Sequence, residues 1–175
     1  MAPGLAFFDR HAAELACHYH VEAARVQWDC GGEVRPLGHF GPHSAYVPTR
    51  PPGAEGIVPF SHHISRELPV IIADAVNSES LGEPIRVEDE VYNFYAAAPL
   101  LSASGAKFGA ISILGRSPRP GFGLADCRAL EERAREIAGM VEQLGVDVRR
   151  GGSAIDFVIE CACELATAGP AAGFG

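Results

Sequence analysis

The chain has 175 residues, 47% of them hydrophobic and 21% charged, with a formal net charge of −8. That length suffices for one domain with no metal or disulfide staple, because a chain of this size buries roughly 70% of the surface that its unfolded form exposes. The charge opposes the phosphates of nucleic acid, no apolar run is long enough to cross a bilayer, and residues 1–10 lack the basic start and apolar core of a secretory signal, so a cytoplasmic location is the default.

Leu5, Phe8, Ala12, Leu15 and Tyr19 recur at helical spacing, which predicts an amphipathic helix over residues 5–19. Residues 21–29 alternate, with Ala24, Val26 and Trp28 on one face and Ala23, Arg25 and Gln27 on the other, as in a strand with one polar face. Cys30-Gly31-Gly32-Glu33 reads as a hairpin turn and residues 34–40 as the returning strand. Residues 41–56 hold four prolines and three glycines and read as a loop, because proline lacks the N–H that a ladder requires. A short helix is expected within 58–68 and a short apolar strand over 70–73. Residues 77–90 look polar and irregular, with a helical turn near 85–91.

Two strands then follow around the turn Ser102-Ala103-Ser104-Gly105-Ala106, where Gly105 is free to take positive φ. Phe94, Ala96, Ala98 and Leu100 share one face of the first strand. In the second, Phe108, Ala110, Ser112 and Leu114 share one face, and Ile111 and Ile113 the other. Apolar residues on both sides mark central strands covered on both faces. Residues 124–144 form the clearest helix, with Cys127, Leu130, Ala134, Ile137, Val141 and Leu144 on one stripe, Glu131 and Arg135 paired on the outer face, and Gly145 beyond its end. After a break at 149–153, residues 154–168 read either as a strand, since Ile155, Phe157, Ile159, Cys161, Cys163 and Leu165 alternate, or as a last helix capped by Ser153, which the alanines and glutamates favour, and the final residues look frayed.

Helix, hairpin, loop, helix, strand, polar segment, hairpin and long helix together predict an α+β fold built on an antiparallel sheet. The central stretch also resembles a known family. Phe94-Tyr95-Ala96, Pro99-Leu100, a glycine-containing turn, Gly109 and Ile113-Leu114 are similar to the central hairpin of GAF domains. Pro59-Phe60-Ser61-His62-His63-Ile64 resembles the Ser-Phe-Cys-x-His stretch of bacterial GAF domains. Residues 70–75 resemble their Val-x-Asp-Ala strand, and Arg116-Ser117-Pro118-Arg119 their link to the final helix. The resemblance implies a domain over residues 1–149, followed by a linker and tail over 150–175. It further implies a sheet of five or six strands with the N- and C-terminal helices on one face and a loop and short-helix cover over a pocket on the other.

Each candidate for chemistry has two readings. His63, aligned with the family's recurrent histidine, either lines the pocket or pins the short helix through a backbone carbonyl, the commoner fate of a buried polar side chain. His62 points about 100° away on a helix, so the pair does not chelate one ion. Ala97, within Ala96-Ala97-Ala98, is a small-residue floor for a cavity whose facing wall would hold Phe60, Tyr95 and Trp28; the alternative is tight packing. Ser61 belongs to the same stretch as His63. Asp74 either accepts hydrogen bonds from a ligand or caps the turn after its strand.

The expected function is that of a sensory domain that binds a small molecule and signals through helix-mediated homodimerisation or a partner protein, with no nucleic acid or membrane contact. No cofactor or metal follows from the residues, and there is no Gly-x-Ser-x-Gly, no phosphate-cradling Gly-x-x-x-x-Gly-Lys and no His-Glu-x-x-His. The alternative is an enzyme like the small GAF proteins that reduce free methionine-(R)-sulfoxide with pocket cysteines. Against it, none of Cys17, Cys30, Cys127, Cys161 and Cys163 lies between residues 31 and 126, and position 61 is serine where relatives often carry cysteine. Five cysteines without a Cys-x-x-Cys pair also give no disulfide framework or zinc site. The Cys-His pair and Asp-Ile-Pro motif of bilin-carrying relatives do not occur, apart from Cys17-His18 inside the first helix. The cyclic-nucleotide signature fails as well: there is no Asn-Lys pair, and Ile85 stands where a phenylalanine belongs. Gly115 and Ser112 stand where many relatives have aspartate and cysteine.

Overall fold

The computed structural model describes residues 3–30, 33–41, 68–79, 81–87 and 89–143. The elements run α1 (Pro3–Tyr19), β1 (Ala23–Cys30), β2 (Glu33–Phe40), β3 (Val70–Ile72), β4 (Ile85–Val87), β5 (Glu90–Tyr92), β6 (Phe94–Leu101), β7 (Lys107–Gly115) and α2 (Leu124–Gln143). Five strands form an antiparallel sheet in the order β2-β1-β7-β6-β3, and β4 and β5 form a separate two-stranded ribbon. The class is α+β. The expected short helix within 58–68, the loop at 41–56 and the last helix at 154–168 lie outside the described residues or barely touch them.

The two helices share one face of the sheet. α1 packs over β1 and β2, and α2 over β6. The core between them holds Phe8, Ala12 and Leu15 of α1, Leu130, Ala134, Ile137 and Val141 of α2, and Val26, Phe94, Ala96, Ala98, Ile111 and Ile113 of the sheet. Small side chains at 96 and 98 let α2 lie close to β6, as tight interior packing requires. Gly38 does the same for α1: a Cβ there would stand 2.2 Å from the carbonyl carbon of Phe8. Ala138, beside Ile137, belongs to the same core.

The helix ends are set locally. His20 adopts φ 50°, Val21 N donates to Ala16 O at 3.0 Å and His20 N to Cys17 O at 3.3 Å, which is a Schellman end with histidine where glycine is usual. At the start of α2, Gly123 O accepts from Cys127 N, and the Asp126 carboxylate takes the Gly123 N–H at 2.9 Å, the reaching-back half of a capping box.

The central hairpin closes as its sequence implies: Gly105 has φ 79°, and Ser102 N donates to Ala106 O at 2.9 Å. One residue departs from the alternation. The β6–β7 register shifts between Leu100↔Gly109 and Leu101↔Lys107, so Phe108 is the extra residue of a bulge. Its ring joins the helix side and lies 5.3 Å from that of Trp28, instead of sharing a face with Ala110, Ser112 and Leu114. The helical turn expected near 85–91 is also corrected. Ile85, Arg86 and Val87 alternate buried, exposed, buried, and the β-branched residues pair as a strand with β5.

Candidate functional site

The second face of the sheet has its own core. Ala23, Ile72, Tyr95, Ala97, Ala110 and Leu114 meet Ala75, Ile85, Val87 and Tyr92, so the β4–β5 ribbon covers part of this face. Polar residues are set among them. Arg25, Gln27 and Ser112 are 6%, 5% and 1% exposed.

Register places them. Arg25 pairs with Ser112 across β1 and β7, Ser112 with Ala97 across β7 and β6, and Ala97 with Val70 of β3. Directly opposed side chains in such a row lie about 5 Å apart at Cβ, and diagonal neighbours about 7 Å. Gln27 opposes Ala110, one step along from Arg25, and Tyr95 opposes Leu114, diagonal to Ser112. The row therefore has a guanidinium, a hydroxyl and a small side chain at the centre of the sheet, with an amide on one flank and a phenol on the other. Gln27 Oε1 and Ser112 Oγ are buried and meet no hydrogen-bond partner among the described residues. Burial pushes the Tyr95 phenol far above its ordinary pKa, and the charge of Arg25 pulls it back. Tyr92 is likewise raised, first by burial and then by Glu90, while Arg25 and Arg116 oppose. Arg25 thus acts electrostatically on two phenols from two elements.

The residues singled out from the sequence are distributed as follows. Tyr95 and Ala97 lie together on this face, Tyr95 as part of the floor and not of a facing wall. Trp28 is not with them. It shares parity with Ala24 and Val26, which point at the helices, so it is buried in the helix-side core. Asp74 is satisfied locally: Asn77 donates to it from N at 3.2 Å and from Nδ2 at 2.7 Å, and these bonds hold its carboxyl below the usual range. That is the turn-capping role. Phe60, Ser61 and His63 lie outside the described residues. Arg25, Gln27 and Ser112 were missed as site residues. Alternation showed that Arg25 and Gln27 share a face, but a polar strand face reads the same whether it meets water or a covered chamber.

On the opposite side of the molecule α1 and α2 frame a groove of about 430 Å³, with Glu14, His18, Glu132, Arg133 and Glu136 among its polar lining. Arg133 donates to Glu14 across the helices and to Glu136 at 2.8 Å along its own. Among the described residues no group of three or more His, Cys, Asp or Glu could hold a metal, and no helix is long and apolar enough to cross a membrane.

No protein-family model and no curated protein matches the sequence. Solved structures do match. The GAF domain region of a protein from Geobacter sulfurreducens PCA superposes with a TM-score of 0.60 at 14% identity, covering 80% of this chain and 93% of that one. The GAF domain of the Acinetobacter phosphoenolpyruvate-protein phosphotransferase gives 0.59 at 14% identity over 79% and 81%. The free methionine-R-sulfoxide reductase of Neisseria meningitidis, solved with its substrate, gives 0.58 at 13% identity over 93% and 81%. The fold of this chain is the GAF fold.

Proposed function

We propose that this chain is a GAF-type sensory domain that takes up a small molecule over the second face of its sheet. The observation that carries this reading is the centre of that face, where Ser112 Oγ and Gln27 Oε1 are buried without a hydrogen-bond partner among the described residues. A buried polar atom left unmatched costs about 1–3 kcal/mol, and a ligand supplying the missing bond recovers it. We assign Phe60, Ser61 and His63, which lie outside the described residues, to the same ligand on the family resemblance alone. The sensory class is supported by neighbours of the same fold, among them a domain of a two-component sensor histidine kinase protein from Sinorhizobium meliloti 1021.

Signalling is assigned to the helix layer, whose outer surface meets a second copy or a partner protein. Glu14, Glu132 and Glu136 beside His18 and Arg133 give that surface charges of both signs. The reading is of a binding module and not an enzyme. Among the described residues Cys17 is exposed on α1, and Cys127 lies in α2 with burial pushing its thiol up, which disfavours the thiolate that sulfoxide reduction needs.

Native mass spectrometry of the purified protein, paired with a metabolite screen by melting temperature, tests the binding reading. A retained molecule, or a stabilising metabolite, is expected. Failure of both overturns it, and thiol-dependent turnover of methionine sulfoxide replaces it with the reductase. Sedimentation velocity tests the second part, with a homodimer expected and weakened by Arg133→Glu. A monomer at all concentrations moves the output to a separate protein.

A further inference from the structure

Arg133 of α2 reaches across to α1 and has a carboxylate on each helix. Its Nη2 donates to Glu14 of α1 and lies 3.4 Å from Nδ1 of His11, also on α1. Its Nη1 donates at 2.8 Å to Glu136, on its own helix. The His11 Nδ1 is in turn 3.2 Å from the Glu14 carboxylate. We propose that protonation of His11 is a switch on the seam between α1 and α2: it releases Arg133 from Glu14 and leaves it with Glu136.

The ring bonds differently in its two protonation states. A neutral imidazole has one N–H and one bare nitrogen. With Nδ1 bare, it accepts from Arg133, so Glu14 and the ring share Nη2. The proton then sits on Nε2, which is buried without a partner among the described residues. A second proton goes to Nδ1. That nitrogen can then only donate, and the acceptor 3.2 Å away is Glu14, the carboxylate that Arg133 holds. Two cations now compete for one carboxylate and repel each other across the gap of 3.4 Å. The His11 side chain is 9% exposed and fixed by its surroundings, whereas Arg133 is 30% exposed and has a second carboxylate to hold. The arginine is therefore the partner that moves.

The charged groups around His11 are Arg10 and Glu14 of α1 and Arg133 of α2; toward β2, Asp9 and His39 face each other at 3.4 Å. Burial is the largest influence and lowers the His11 pKa, Glu14 opposes, and Arg133 and Arg10 add to the lowering. The folded-state value thus lies below 6.5, so the seam is closed at neutral pH and opens only on the acid side. The effect is reciprocal: a proton that loosens Arg133 is itself bound less tightly because of Arg133. Glu14, Glu132, Arg133 and Glu136 line the groove along this seam, so acid rearranges the charges that the groove presents. The switch belongs to the seam itself and does not depend on what meets the outer surface.

Double-mutant cycles on the full chain test it. The His11 midpoint is read first, from ring shifts in an NMR titration. Urea unfolding is then measured one pH unit above and one below it for Glu14→Gln, Arg133→Met and the double variant. Above the midpoint the pair should raise the folding constant roughly two- to fivefold, the range of a partly exposed ion pair. Below it that coupling should vanish, while a parallel cycle with Glu136→Gln shows the coupling of Arg133 to Glu136 retained. In a His11→Gln background the Glu14–Arg133 coupling should be the same at both pH values. Should His11→Gln fail to fold, rotation of the Arg133 guanidinium about Nε–Cζ, read by nitrogen NMR on the unaltered protein, decides instead; it is expected to quicken as the pH falls through the His11 midpoint. Equal Glu14–Arg133 coupling on both sides of the midpoint overturns the switch. So does an equal fall with glutamine at position 11, or, where that variant does not fold, a rotation rate that ignores the midpoint.

Discussion

Arg119 lies over the ring of Phe94, 5.4 Å from its centroid, and in that position its guanidinium donates to the carbonyls of Tyr19 and His20. One side chain thus closes the C-terminus of α1 against the first residue of β6. Its own N–H donates to Ala73 O at 2.7 Å, just beyond β3. Three elements far apart in sequence are fastened by one residue of the link to α2.

Arg119→Ala removes two charge-assisted bonds to helix-terminal carbonyls and the contact with Phe94. Hydrogen bonds to a charged group contribute about 1.5–3 kcal/mol, so a loss of about that size is expected by urea denaturation. Arg119→Lys should recover less than half, because an ammonium lacks the fork that serves two carbonyls and the plane that stacks on a ring. Full rescue by lysine would show that charge alone holds the junction.

His20 occupies the left-handed position that ends α1, where a Cβ is costly. His20→Gly keeps the two backbone bonds and relieves that cost, so a gain of about 1 kcal/mol is expected, read as a rise in melting temperature. A fall would mean that the imidazole makes a compensating contact.

The parts of the fold that were legible in the sequence are those where one periodicity ran uninterrupted. Residues 94–101 and 107–114 carry apolar side chains on both faces, and this identifies central strands. The 124–143 stripe permits only a helix. Phe108 was misplaced because a bulge is a fault in register, set by the partner strand and invisible in the residue pattern. The β4–β5 ribbon was missed because three-residue strands are too short to show a period. The candidate site was half legible. Ala97 was read as part of the floor from its size, whereas Tyr95 was read as wall and lies in the floor beside it. Arg25 and Gln27 did not, since burial of a polar strand face depends on what the rest of the chain lays over it. Trp28 followed its own strand's parity, which outweighs the attraction of placing a large aromatic in a cavity wall.

Two glycines should respond in opposite directions. At Gly38 an added methyl meets the backbone of Phe8 at 2.2 Å, so Gly38→Ala must push α1 off β2. Overpacking of this kind costs about 1–3 kcal/mol, and backbone on the receiving side favours the upper end. At Gly139, inside α2, nothing lies within 4 Å of the added atom. Gly139→Ala should therefore stabilise by about 0.5–1 kcal/mol through helix propensity. Paired thermal melts read both; equal effects of either sign would refute the steric distinction.

His11 gives the helix layer a pH dependence whose sign is fixed by its surroundings. It is buried on α1, with Phe7 edge-on at 4.6 Å, Glu14 at 3.2 Å from Nδ1, and Arg133 of α2 at 3.4 Å from the same nitrogen. Burial is the largest influence on it and lowers its pKa below 6.5; Glu14 opposes, and Arg133 and Arg10 add to the lowering. The folded state therefore binds this proton less readily than the unfolded chain. Its contribution to stability is complete above about 6.5, the unfolded value, and is lost as the pH falls through the lower folded-state pKa. Histidine ring shifts in an NMR titration should place the His11 midpoint below 6.5, and Arg133→Leu should move it upward by removing one cation. In urea unfolding at pH 7.5 and 5.0, His11→Phe should lose less stability on acidification than the unaltered chain. If both lose equally, the imidazole is reached by water and the neutral form is not what the helix layer selects.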